Sequence, residues 1–196
     1  SNAYLTKDKL NQLEIFYPLK LFVCDKCFLV QIDEYKSSKE IFNKEYAYFS
    51  SYSTSWLAHC QHYVDMIIDR FNYNENSQIM ELASNDGYLL QFFKKKNLPV
   101  LGIEPAMSVA KVAQEKGIET IIDFFGVRLA TKLCEKKRMA NLIIGNNVFA
   151  HVPDINDFVA GMKIALKNDG VITLEFPHLM ELIEEVQFDT IYHEHF

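Results

Sequence analysis

From residue 79 onward, short apolar runs alternate with longer amphipathic stretches, and this alternation constrains the chain more than any other feature. Strands are expected at 79–83, 100–104, 119–122, 142–145 and 171–176, with helices at 88–95, 107–116, 127–135 and 155–166 between them. Strands that are apolar along their whole length are covered on both faces, and strands separated by helices return parallel to one another. The pattern predicts a Rossmann-like α/β domain over 77–196. In such sheets ligands lie beyond the carboxyl ends of the strands, so the loops that follow each strand are where chemistry is expected.

The chain ahead of this domain has a different character, with the change at 72–77. Ser53 or Thr54 can cap a helix reaching to about residue 71, since Leu57, Cys60, Val64, Ile67 and Ile68 recur at helical spacing. This gives a linking helix over 53–76. Residues 1–52 form an arm in which Leu21-Phe22-Val23 and Phe28-Leu29-Val30-Gln31 flank Cys24-x-x-Cys27, the pattern of two short strands joined by a knuckle turn. A tetrahedral zinc site needs four ligands, and this pair supplies half of them. Metal binding therefore requires further ligands from elsewhere.

Composition narrows the function. Lys and Arg number 20 against 26 Asp and Glu, a net charge of -6, with no long basic run. A nucleic-acid partner is disfavoured on that ground. No apolar stretch approaches the ~20 residues of a membrane span, and no signal-peptide pattern opens the sequence. Cys60 and Cys134 stand alone, so no disulfide framework is expected and the thiols should be reduced. A soluble, cytoplasmic protein is the expectation.

The loop after the first strand reads Glu81-Leu82-Ala83-Ser84-Asn85-Asp86-Gly87. It lacks the G-x-G-x-x-G that opens a helix N-terminus to a pyrophosphate. Small residues let the backbone approach a nucleoside, and Glu81 and Asp86 suit a cationic ligand without phosphate, as in S-adenosylmethionine. Glu104, at the end of the second strand, stands where a carboxylate holds a ribose diol. After the fourth strand come Asn147 and His151, and Asp154 can cap the next helix. The candidate cofactor residues are Glu81, Ala83, Asn85, Asp86, Glu104, Asn147 and His151. His59 and His62 lie one helical turn apart; a solvated helix face is the expected reading, with metal ligation the alternative.

These segments, taken with Tyr17-Pro18-Leu19, Tyr46-Ala47-Tyr48-Phe49-Ser50-Ser51, Gly102-Ile103-Glu104-Pro105 and the closing Tyr192-His193-Glu194-His195-Phe196, resemble the sugar C-methyltransferases that act on nucleotide-linked 4-keto-deoxysugars. The resemblance implies a class I methyltransferase fold, S-adenosylmethionine as methyl donor and C3 of a 4-ketosugar as acceptor. It implies His195 as base, with Tyr192, Glu194 and Tyr48 around it. It also implies a zinc-binding arm built from two Cys-x-x-Cys pairs, of which only Cys24 and Cys27 are present, and a C-terminal domain that helps hold the nucleotide sugar. The sequence stops about twenty residues after the fifth strand, so an incomplete methyltransferase domain with weak activity of its own is expected. Other readings are a small-molecule O- or N-methyltransferase, a nicotinamide-dependent oxidoreductase, a non-catalytic module, or a metal site at His193-x-His195 with Glu194.

Overall fold

The computed structural model of the protein describes residues 5–18, 20–43 and 46–187. The arm opens with β1 (Leu21–Val23) and β2 (Val30–Ile32), an antiparallel pair, followed by the short helix α1 (Ser38–Ile41). Ser37 and Glu40 close a reciprocal capping box at its start. Helix α2 (Thr54–Phe71) begins where Ser53 accepts a hydrogen bond from the Trp56 amide at 3.2 Å, and ends where Asn72 turns left-handed at φ 53°.

The main domain then runs β3 (Ile79–Leu82), α3 (Leu90–Lys95), β4 (Val100–Ile103), α4 (Met107–Glu115), β5 (Thr120–Ile121), α5 (Val127–Glu135), β6 (Ala140–Asn146), α6 (Ile155–Ala165), β7 (Leu166–Glu175) and α7 (Leu179–Glu184). The five main-domain strands form one sheet in the order β5-β4-β3-β6-β7, every pair parallel. Starting each half from the central β3 makes the connections diverge, which leaves a crevice between the β3 and β6 carboxyl ends.

Side chains alternate across the sheet, so successive residues serve different layers. Ile79, Leu142 and Ile144 pack with Cys60 and Val64 of α2 and Phe93 of α3. Met80, Leu82, Leu101, Ile103 and Ile143 pack on the other face with Leu129 and Leu133 of α5 and Phe158 and Met162 of α6. This double coverage is why β3 and β4 are apolar throughout, Glu81 excepted.

Where the elements depart from the sequence expectation, the backbone shows why. The helix expected from residue 88 begins at Leu90, because Ala83 (φ 55°), Asn85 (φ 49°) and Gly87 (φ 75°) take left-handed conformations and make the loop a series of turns. The last strand starts at Leu166 rather than 171. Leu166 pairs with Ala140 and Val171 with Leu142, so residues 167–170 are accommodated by an irregularity in the ladder. Helix α7, unforeseen in sequence, follows Pro177.

Helices α5 and α6 approach to backbone contact at one point. A Cβ added at Gly161 would lie 2.7 Å from the carbonyl carbon of Gly126, the residue before α5. Replacing Gly161 by Ala is therefore expected to push α6 away from α5 and destabilise the fold by about 1–3 kcal/mol, despite the better helix propensity of alanine. Thermal unfolding followed by circular dichroism should show a lower midpoint; an unchanged midpoint would mean that the two helices can separate freely.

Candidate active site

The carboxyl ends of β3, β4 and β6 open into a cavity of 760 Å³, covered from the N-terminal side by the segment that leads into α2. Ala83, Asn85, Glu104, Asn147, His151 and Tyr48 all line it. These residues come from four separate stretches of sequence, and the sheet topology brings them together.

Glu104 is the centre of the site. It is 3% exposed, and its two oxygens accept from different amides: Oε2 from Asn85 N at 2.9 Å and Oε1 from Ala106 N at 2.7 Å. Gly102, two residues earlier on β4, makes this approach possible, since a Cβ there would collide with the Ser84 side chain of the neighbouring loop. Burial pushes the Glu104 carboxyl up to about 7, opposed by the Ala106 and Asn85 amides that favour the anion. Each oxygen retains lone-pair capacity, enough for a pair of adjacent hydroxyls.

Asn85 and Asp86 turn toward the covering segment. The Asn85 side chain accepts from Ser50 N at 2.9 Å and donates to the Tyr48 carbonyl at 3.0 Å, while Ser51 donates to Asp86. Lys116 adds bonds to Asp86 O at 2.8 Å and Oδ2 at 3.3 Å. Asn85 thus lines the cavity while holding its cover, and Asp86 is not among the lining residues.

Glu81 lies behind the cavity wall, wholly buried in β3. Neither of its oxygens completes a hydrogen bond, although the Tyr88 hydroxyl and the Leu90 amide stand nearby. Burial pushes this carboxyl well above the usual range, and Glu104 and Asp86 push it further. Tyr88 and Cys60 are raised with it, Cys60 to about 12, chiefly by burial. Cys60 is therefore a core residue, inaccessible to the Cys24–Cys27 knuckle as a metal ligand.

At the β6 and β7 ends, Asn147 takes a left-handed turn (φ 51°) and donates its amide to the Glu175 carbonyl at 2.7 Å. His59, which the sequence reading placed on a solvated face, lines the cavity and pairs with Glu175 at 2.9 Å. The two are 116 residues apart, so no local pattern links them; the one sequence signal is the placement of His59 beside the only tryptophan, near the capped start of α2. Asp154 caps α6 through Asp157 N at 2.9 Å, as its position implied. Tyr192, His193, Glu194 and His195 lie outside the described residues. Among the described residues no group of three or more His, Cys, Asp or Glu could hold a metal ion.

In the arm, Phe28 turns left-handed at φ 62° and its amide donates to the Cys24 carbonyl at 3.0 Å. The Cys27 and Lys26 amides point at the Cys24 sulfur and hold its thiol below its ordinary value. A thiolate ligand is favoured by such amides. The turn thus presents two free thiols at Cys-x-x-Cys spacing, Cys27 exposed and Cys24 partly so.

A protein family described as a putative zinc binding domain matches residues 1–42. Over 183 residues, 93% of this chain, the sequence is 33% identical to the C-methyltransferase NovU of Streptomyces niveus, and it spans 43% of that protein's length. The fold is shared with the PH0226 protein of Pyrococcus horikoshii OT3, with a TM-score of 0.56 at 14% identity over 72% of this chain and 67% of the other. It is also shared with a SAM dependent methyltransferase from Archaeoglobus fulgidus, with a TM-score of 0.54 at 14% identity over 69% of this chain and 61% of the other. No helix among the described residues is long and apolar enough to cross a membrane. The chain is thus similar in sequence to a C-methyltransferase over most of its own length, it shares the class I methyltransferase sheet in fold, and its arm matches a zinc-binding-domain family.

Proposed function

We propose that this chain forms the donor-binding part of an S-adenosylmethionine-dependent methyltransferase that alkylates carbon alpha to the ketone of a nucleotide-linked 4-keto-deoxysugar. The observation that carries the reading is Glu104, a buried carboxylate pinned by two amides at the end of β4, with capacity left on both oxygens for a ribose diol. The Oδ1 of Asp86, buried without a hydrogen-bond partner, leaves an acidic group beside the first loop. That environment suits a sulfonium and opposes a pyrophosphate. Phe125 and Phe158, edge to face at 5.3 Å, and Ile103 offer an apolar wall to a purine. NovU, named as a C-methyltransferase, supports carbon as the acceptor.

When bound, the cofactor supplies an electrophilic methyl group. Glu104 holds the ribose, and the segment from Tyr46 to Ser53 limits water above the cavity. Asn147 and His151, at the β6 end, complete the cofactor wall with Ala83 and Asn85, and Tyr48 stands on the acceptor side. The resemblance assigns to His195 the removal of the proton alpha to the ketone, with Tyr192 and Glu194 fixing its ring. The carbon–hydrogen electron pair then becomes the enolate, whose oxygen a tyrosine hydroxyl can meet. The Cys24–Cys27 knuckle would give zinc two thiolates, with the remaining ligands supplied from elsewhere.

Three outcomes are expected. Glu104→Ala should weaken S-adenosylhomocysteine binding about 10–100-fold by calorimetry, the scale of a charge-assisted bond pair; unchanged affinity would move the cofactor elsewhere. Because the free protein holds the Glu104 carboxyl near neutrality and the diol prefers the anion, binding should expel a proton. Affinity should therefore rise as pH climbs through about 7 and level off above it, and Glu104→Gln should flatten this dependence. In the active enzyme, His195→Ala should lower turnover by about 100-fold or more with cofactor affinity nearly intact. Solvent deuterium exchange at the alpha carbon should fall in parallel; exchange that persists while methyl transfer stops would shift the base to His193, Tyr48 or His151.

A further inference from the structure

His59 and Glu175 form a pair at the acceptor end of the cavity that nothing in the cofactor reading uses. His59 stands on α2 and lines the cavity; Glu175 ends β7, in register with Asn146 of β6. The imidazole Nε2 lies 2.9 Å from Glu175 Oε2. A carboxylate accepts only, so the Nε2–H donates, and in the neutral ring the lone pair is left on Nδ1.

The ring is fixed from a second side. Trp56 stacks on it at 5.1 Å and 19°, and leans in turn on the buried Tyr88 at 5.9 Å. Glu175 is anchored through its carbonyl, which accepts from Asn147 N at 2.7 Å. Both side chains remain partly open, His59 at 51% and Glu175 at 39%. An ion pair this exposed adds little to folding. Stability alone does not account for a histidine whose ring and tautomer are both set at the wall of a ligand cavity.

We infer that His59 is a specificity-determining residue which accepts, at Nδ1, a hydrogen bond from a hydroxyl or amine of the methyl acceptor, and that Glu175 is the positioning residue which holds its tautomer. The inference rests on the reading above, with the donor at the β3, β4 and β6 ends and the acceptor beyond it, toward β7 and the start of α2. It restricts the acceptor to molecules that carry an O–H or N–H donor near the reacting carbon. An analogue without that group would cover Nδ1 on binding and leave it unpaired, which is how polar sites reject close isosteres.

Calorimetry on the chain saturated with S-adenosylhomocysteine tests this, using a nucleotide-linked 4-ketosugar and analogues that each lack one ring hydroxyl or amine. One analogue should bind about 10–100-fold more weakly than the parent, and His59→Phe should bind that analogue and the parent alike. Equal losses for every analogue in both proteins would overturn the assignment, as would a ketosugar that fails to bind the loaded chain. Imidazole nitrogen-15 spectra give an independent reading: Nδ1 of His59 should shift on adding the ketosugar, and an unmoved resonance beside shifted Asn147 would overturn it. In Glu175→Gln the ring should populate both tautomers and acceptor affinity should fall, with S-adenosylhomocysteine affinity within about twofold of the unaltered chain; a single unchanged tautomer would remove Glu175 from the proposal. Failure of S-adenosylhomocysteine itself to bind would sink the cofactor reading, a result distinct from each of these.

Discussion

The Glu104 carboxylate is the interaction on which the site depends. It leaves β4 in a dry environment and bonds to one amide of the β3 loop and one of its own loop. Charge-assisted bonds of this kind are about twice as strong as neutral ones, and losing a partner in a buried place costs the full desolvation of what remains. The geometry of the β3 loop, with its left-handed Ala83 and Asn85, is thus tied to a side chain nineteen residues later in the chain. Burial pushes the carboxyl up to about 7, against the Ala106 and Asn85 amides, which favour the anion.

A second constraint joins the arm to the sheet. Asn85 bonds to the backbone of Tyr48 and Ser50, and Asp86 receives Ser51. Ser108 of α4 donates to the Tyr46 carbonyl at 2.7 Å. The cover of the cavity is therefore hydrogen-bonded to the same loop that closes against Glu104. Movement of the arm would be felt at the cavity through Asn85, and the left-handed backbone of Asn85 aims its amide and its side chain at different partners. Asn85 serves both the cavity wall and the cover, two roles that a residue-by-residue reading of the loop treats as one.

Much of the fold was legible because the signal is local. Apolar runs marked β3, β4 and β6, helical spacing marked α2, and Asp154 and Ser53 announced the helix starts that they cap. The position of Glu104 was legible too, directly after β4 at the cavity wall. The errors lie where nonlocal pairing decides: the ladder extended β7 back to Leu166, and left-handed turns delayed α3 to Leu90. Asp86 reads in sequence as a ligand-facing acid, yet Ser51 and Lys116 engage it from the two sides.

The sequence by itself determined the parallel α/β architecture, the two short strands around the Cys24–Cys27 turn and the acid at the β4 end. Hydrophobic periodicity and turn chemistry act over a few residues, and they write themselves directly into the order of residue types. Only the tertiary structure decided that Glu81 is sealed in the core without a completed hydrogen bond, that Cys60 is out of reach of the knuckle, and that His59 meets Glu175 at the cavity wall. Those outcomes depend on which helix face lies over which strand end, and a separation of 116 residues between partners leaves no periodicity from which to read it.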